Sequence, residues 1–408
     1  MPEPLSLLQN YLLLSLRSQG ELSALENLTP AQWEELLQMA KIQDLSPLLY
    51  WRLVHEKAVK AVPPSVADAL RNAFYKCLAD NSVYFDDLYK ILAAFEQAGI
   101  QVILLKGAYL AEKVYPNVGL RPMDDFDLMV RRADYLRGHK LLEELGFTGH
   151  RRFFSETELD HGKHGPIMSR PGSKDIELHW TLVDDRSDLE IDEETLWQGS
   201  RLIQLPGTTA WVLSLENMLL HLCAHISYGH MFQRQPRSLV DIARLLETGG
   251  EQVNWQEVVQ TAHTWKSEAG IFLALYLAHS LLDAPVPAPV ISALKPIDFT
   301  PQVADWAVFR LFQENYSLSS NFNSLFASPS FLERIRALFT AFFPGRIILS
   351  QAYNVPPNSW RIYLVAPRYA WERITHYGGH TLRMAIGRHP GKTESEIEYQ
   401  LNNWLSGS

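Results

Sequence analysis

The sequence predicts an α+β protein, with a small mixed β-sheet flanked by helices and mostly helical regions on either side of it. Three observations predict this. The first hundred residues and those after Ser214 place apolar side chains at helical spacing, one face at a time. Between them, short apolar runs with a period of two alternate with helical stretches, as in a sheet that shares its core with helices. The chain has 408 residues, room for two or three units of roughly 100–200 residues each.

The elements follow in order. Thr29-Pro30-Ala31-Gln32 is a helix start, with a capping Thr, Pro at the first helical position and Gln three residues on. Trp33, Leu36, Leu37, Ala40 and Ile42 supply its apolar stripe. A long helix follows Pro63-Pro64, carrying Leu70, Phe74, Leu78, Phe85, Leu88, Leu92 and Phe95, and stops near Gly99. Residues 101–105 read as a buried strand, turned by Lys106-Gly107 into a helix over 108–115. Residues 116–122 are loop, 126–130 a second strand, and 133–145 a helix closed by Gly146. Extended segments are expected at 147–154, 165–169 and 174–182, with antiparallel pairing. Residues 216–226, 238–247, 255–265 and 269–282 read as a helical bundle, and the proline-rich 285–301 as an irregular crossing. The expected domains are a helical region at 1–99, a mixed core at 100–205, a helical bundle at 206–290 and a mostly helical region at 291–408.

Composition narrows the function. Apolar residues make up 47% and charged residues 20%, which excludes a disordered or fibrous chain. The net charge is −9, opposite in sign to a protein that coats nucleic acid, so nucleic acid is a possible but not a favoured partner. Cys77 and Cys223, the only cysteines, make neither a disulfide framework nor a cysteine zinc site and fit a reducing cytoplasm. The stretch from Met1 to Leu16 lacks the basic start and cleavage site of a signal peptide. The longest apolar run, Ile271 to Leu282, falls short of the roughly 20 residues of a membrane span. A cytoplasmic protein with no membrane partner is therefore expected.

The chemistry concentrates in residues 104–130 and 174–182. Side chains on a strand alternate faces, so Asp125 and Asp127 point one way while Phe126 and Leu128 point into a core. By the same parity Asp175, Glu177 and His179 share one face of a later strand, opposite Ile176, Leu178 and Trp180. Clustered carboxylates repel and raise one another's pKa unless a cation sits between them. Hard oxygen donors suit Mg²⁺ or Mn²⁺, which also take phosphate oxygens. Asp125, Asp127 and Glu177 are the candidate metal ligands and catalytic residues, with His179 beside them. Lys106-Gly107 lies at a strand-to-helix turn, where free backbone N–H groups can hold phosphate. Lys106 and Arg121 can offset phosphate charge, or each can pair with a nearby carboxylate.

Leu-Leu-Lys-Gly at 104–107, then Tyr115-Pro116, then Arg-Pro-Met-x-Asp-x-Asp-Leu-x-Val at 121–130, then Glu-Leu-His-Trp at 177–180 resemble the uncharacterised nucleotidyltransferase family of the DNA polymerase beta-like superfamily. They are also similar to the toxin nucleotidyltransferases of abortive-infection systems. The close likeness spans about residues 100–182, and a looser one extends over 214–246. The resemblance implies a mixed-sheet nucleotidyltransferase core with appended helical regions. It also implies transfer of a nucleoside monophosphate from ATP or another nucleoside triphosphate to a hydroxyl acceptor, a protein, a small molecule or an RNA end, with divalent metal ions. Carried over, the metal-binding Asp-x-Asp falls on Asp125 and Asp127, the third carboxylate on Glu177 and the glycine turn on Gly107. Glu177 can alternatively act in part as general base. Two departures stand out: Ala108 replaces the small polar or glycine residue after the turn, and the gap from Gly107 to Asp125 is longer than in minimal members.

Other residues invite different readings. His221 and His225, four apart, with Asp241 beyond, match a zinc spacing and a metal-dependent hydrolase, or histidines packed between helices, or the acceptor side of a cleft. Arg234, Arg237 and Arg244 form a local basic group. The Trp and Tyr residues after Ser350 can build a core or a partner surface. The rival to an enzyme is a nucleotide-binding or scaffold protein that keeps the fold without turnover. Against it stand the three intact carboxylates, which cost stability where no cation compensates them.

Overall fold

The computed structural model describes residues 5–20, 22–149, 159, 162–183, 189–313, 332, 339, 343–353, 355–356, 359–385 and 392–407. The chain divides into two compact units, Met1–His150 with His161–Phe312, and Arg151–Asp160 with Gln313–Ser408.

The larger unit begins with helices α1 (Leu7–Leu16), α2 (Pro30–Ile42), α3 (Ser46–His55) and α4 (Pro64–Gln97). Helix α2 starts where its capping box places it, with the Thr29 hydroxyl accepting from the Gln32 N–H and the Gln32 side chain accepting from the Thr29 N–H. Trp33, Leu36, Leu37 and Ala40 are buried, but Ile42 is exposed, because it sits in the last turn past the covered face. Then come β1 (Ile103–Leu104), α5 (Lys106–Lys113), a 3₁₀ turn at Val118–Leu120, β2 (Asp125–Met129), α6 (Tyr135–Glu144), β3 (Thr148–Gly149), β4 (Met168–Ser169), β5 (Asp175–His179), α7 (Glu193–Gln198), β6 (Arg201–Leu205) and β7 (Thr208–Val212). The bundle is α8 (Leu215–Ala224), which runs into a π-turn at His225–Gly229, followed by α9 (Pro236–Gly249), α10 (Trp255–Thr264), α11 (Glu268–Leu282), α12 (Ala288–Leu294) and α13 (Pro301–Leu311). Helix α11 is buried nearly all round, from Ile271 to Leu275 and at Leu277, Ala278 and Leu282. Among the described residues, no helix is long and apolar enough to cross a membrane.

The sheet is mixed, in the order β3-β4-β5-β2-β1-β7-β6. Strand β2 pairs in parallel with β5 and antiparallel with β1, and β1 pairs in parallel with β7. Three differences from the sequence reading have physical causes. The first strand keeps ladder bonds only at 103–104, because the chain leaves the sheet for α5 straight afterwards. The antiparallel pairing expected of the later segments holds for β3–β4 and β4–β5, but β5 turns its other edge to β2 in parallel. The hairpin β6–β7 was not anticipated; it turns at Pro206-Gly207, with Gly207 at φ +74°, and delivers β7 to the edge of β1. Within 285–301 the proline-rich crossing contains α12, which buries Val290 and Leu294. Of the segment expected to be extended at 147–154, residues 150–154 lie outside the described residues, as do Asp160 and His161.

One face of the sheet is apolar. Phe126, Leu128, Ile176 and Leu178 are fully buried, and the Phe126 ring lies 6.3 Å from Phe85 of α4. Burying each such side chain contributes about 1.5–3 kcal/mol. The loop before β2 is pinned to α4 by a buried amide. Asn81 Nδ2 donates to the Val118 carbonyl at 2.7 Å and the Arg121 carbonyl at 2.9 Å. Gly119 permits this approach, since a Cβ there would lie 2.7 Å from Leu78 Cβ.

The smaller unit contains helices α14 (Arg346–Tyr353), α15 (Ile362–Ala385) and α16 (Lys392–Ser406). Its core joins Leu349, Ile362 and Tyr369, with Tyr353, Val355, Val365 and Ala366 against them.

Candidate active site

The polar face of the sheet is organised by the parallel ladder of β2 on β5. Its register sets Asp125 opposite Asp175, Asp127 opposite Glu177 and Met129 opposite His179. Strand alternation turns these side chains away from the Phe126–Leu128 core. His179 Nε2 lies 3.0 Å from Asp127 Oδ1 and 3.5 Å from Glu177 Oε2, so its N–H is shared between two carboxylates. His164 Nε2 lies 3.6 Å from Glu177 on the outer side. Asp127, Glu177 and His179 bring their ligand atoms within 4.8 Å of one another, the grouping that can hold a metal ion.

Lys106 approaches from the start of α5. The Leu105 N–H donates to the Asp127 carbonyl at 3.1 Å, so the helix opens beside that aspartate. Lys106 Nζ then donates to Asp127 Oδ2 at 3.0 Å and to His225 Nε2 at 3.0 Å. Asp127 is 2% exposed, and its two oxygens are held by one cation and one N–H.

These contacts set the charges. Burial alone would raise the Asp127 pKa, but Lys106 and His179 hold it well below the usual carboxylate range. Burial, reinforced by the Asp127 charge, pushes Asp125 up to about 6. The hydrogen bond from His179 lowers Glu177. Burial and the Lys106 ammonium push His221 down to about 3 and lower His225 well below its ordinary value.

Arg121 is fixed rather than free. Its Nε and Nη2 form a fork on Asp241, at 2.9 Å and 2.7 Å, and Tyr115 donates to the same carboxylate at 2.8 Å. Burial works against the Arg121 cation, and Asp241 outweighs it. Gly107 gives this guanidinium room: a Cβ there would lie 3.1 Å from Arg121 Nη1. Both cations singled out in the sequence are therefore in ion pairs. Asp241 is engaged by Arg121 and Tyr115, and His221 Nε2 is buried without a hydrogen-bond partner. Among the described residues, His221, His225 and Asp241 do not converge as zinc ligands, which speaks against a zinc hydrolase site there.

Between the sheet and the bundle lies a polar cleft of about 190 Å³, lined by Lys106, Gly107, Asp125 and Asp127 on one wall and by His225, His230 and Arg237 on the other, with Arg121 and Asp241 also part of its lining. Arg237 donates to the Pro122 carbonyl at 3.1 Å. Sequence reasoning missed His230, the pairing of Arg121 with Asp241, and Tyr115. His230 carried no periodic signal, because the π-turn breaks the helical spacing that links it to His225.

A family model described as an uncharacterised nucleotidyltransferase matches residues 29–283, a stretch that contains every residue of this cleft. No curated protein matches the chain.

Proposed function

Since the chain belongs to the uncharacterised nucleotidyltransferase family, we propose that it transfers a nucleoside monophosphate from ATP or another nucleoside triphosphate to a hydroxyl acceptor, with Mg²⁺ or Mn²⁺ as cofactor. One observation carries this reading: the parallel register that sets Asp127 opposite Glu177, with the His179 N–H between them. The donor set fits the ion. Two carboxylates offer hard oxygens, and Asp127 already accepts from the Lys106 ammonium and the His179 N–H, as an anion built to face a cation would. Asp125, Asp127 and Glu177 would hold the metal, and His179 would orient the last two. When bound, the ion supplies charge neutralisation at the phosphates.

The chain's own groups do the rest. Lys106, in the cleft lining beside Asp127, would offset phosphate charge as a point charge. Lys106 and Gly107, the first residues of α5, line the same cleft, and free N–H groups at a helix start suit phosphate oxygens. Arg121, fixed and compensated by Asp241, contributes shape to the cleft wall beside Gly107. The net charge of −9 favours a protein side chain or a small molecule over long nucleic acid as acceptor. Buried, unpaired Cys77 and Cys223 suit action in the cytoplasm.

The test is thermal unfolding with each nucleoside triphosphate, with and without Mg²⁺ or Mn²⁺, since a ligand of the folded state raises the melting temperature. The expected shift needs metal and nucleotide together and disappears in Asp125→Ala/Asp127→Ala. A shift that survives this double substitution sinks the reading. Turnover is then sought as pyrophosphate release and as label transfer from the α-phosphate into cell extract.

A further inference from the structure

The cleft wall opposite the carboxylates is built unusually. Helix α8 ends in a π-turn, His225–Gly229, and the next residues include three non-glycine positions at positive φ: Met231 at 47°, Phe232 at 61° and Arg234 at 52°. Such conformations cost of order 1–3 kcal/mol each and persist only where the surroundings impose them. Here they hold His230 in the cleft against His225, with ring centroids 4.4 Å apart and Nε2 atoms 3.2 Å apart.

The hydrogen-bond chain assigns the tautomers. An ammonium group has no lone pair, so in its contact with Lys106, His225 Nε2 must be the acceptor. That nitrogen therefore carries no hydrogen, and its single lone pair is shared: the longer His225–His230 contact is a hydrogen bond only with the hydrogen on His230 Nε2. A neutral His230 ring then has its lone pair on Nδ1, which makes no hydrogen bond among the described residues. Partial burial and the nearby Lys106 ammonium lower His230 from its ordinary value, which favours the neutral ring.

We propose that His230, through Nδ1, accepts the proton of the attacking hydroxyl, and that His225 is the positioning residue that fixes its tautomer. This rests on the nucleotidyl-transfer reading. The acceptor oxygen forms its bond to the α-phosphorus and its proton passes to His230 Nδ1. The bond from the α-phosphorus to the bridging oxygen breaks, and pyrophosphate leaves with that electron pair. His230 then returns the proton to solvent. Glu177 is poorly placed for this step, since its carboxyl already accepts from His179 and has His164 at its other side.

The experiment compares wild type, His230→Gln and His230→Ala in two measurements: thermal shift by Mn²⁺ with a non-hydrolysable ATP analogue, and transfer of α-labelled phosphate from ATP into cell extract. Gln can still donate to His225 but cannot take a proton. The expected result is an unchanged shift in both variants, transfer reduced roughly 10²–10⁴-fold in both, and partial recovery of His230→Ala, not of wild type, on adding free imidazole. Wild-type transfer by His230→Gln would overturn the assignment while leaving nucleotidyl transfer intact. So would loss of the shift in both variants, which would make His230 a binding or structural residue. A wild-type protein that shows neither shift nor transfer overturns both readings.

Discussion

Lys106 and Asp127 form a nearly water-free ion pair at the lip of the sheet, with Nζ 3.0 Å from Oδ2 and side chains 15% and 2% exposed. The ammonium stands where a divalent ion would compensate the same carboxylate. The two cations therefore compete for Asp127, and this sets the first expectation.

In Lys106→Met, the metal-free protein loses the partner of a buried charge, a change that typically costs about 3 kcal/mol. Its melting temperature without metal should fall. Mn²⁺ should then raise it by more than it raises wild type, because no ammonium has to be displaced. An equal or smaller Mn²⁺ response in the variant would show that Lys106 does not occupy the cation's place.

The Arg121–Asp241 fork is buried on both sides. Arg121→Met or Asp241→Leu alone should each cost about 3–5 kcal/mol in urea unfolding, since each leaves one charge uncompensated. The double variant should lose clearly less than the two singles together, because neither charge remains. Additive losses would mean that the pair is not coupled.

His221 connects the site to pH. Its ordinary pKa of 6.5 falls to about 3 in the folded protein, by burial and then by the nearby Lys106. The fold therefore holds the ring neutral while the unfolded chain takes up a proton. Below pH 6.5 the unfolded state binds more protons, so stability falls with acidity, by about 1.4 kcal/mol per pH unit for this group, down to about pH 3. Above pH 6.5 the group contributes no slope. His221→Leu should flatten the decline between pH 6.5 and 5 in denaturant unfolding; an unaltered slope would show that another group governs it.

Gly107→Ala tests crowding at the start of α5. Alanine favours a helix over glycine by about 1 kcal/mol. Its Cβ, however, would meet Arg121 Nη1 at 3.1 Å, and the fork on Asp241 keeps that guanidinium from retreating. The steric cost, about 1–3 kcal/mol, should win, and the melting temperature should drop. A rise would show that Arg121 yields.

The strand alternation that singled out Asp125, Asp127, Glu177 and His179 is local, since a period of two assigns faces without any knowledge of neighbours. The structure sets them on one polar face for that reason. The capping box of α2 and the positive φ of Gly99 and Gly146 were legible on the same local grounds. What could not be read depends on partners far along the chain. Arg121 meets Asp241 only through the packing of α9, and Lys106 meets His225 only through α8 and its π-turn. The β6–β7 hairpin escaped because Arg201, Leu202 and Gln204 face solvent and blur the alternation. The parallel β1–β7 pairing follows from a crossover that no short window contains.

The Arg121–Asp241 pair also imposes an order on synthesis. The arginine emerges from the ribosome 120 residues before the aspartate that neutralises it. Until α9 is translated and docked, the loop ahead of β2 would bury an orphan cation if it adopted its final place. A nascent chain cut off before Asp241 should therefore leave that loop unsettled, and the cleft cannot mature while the polypeptide is still being made through its bundle.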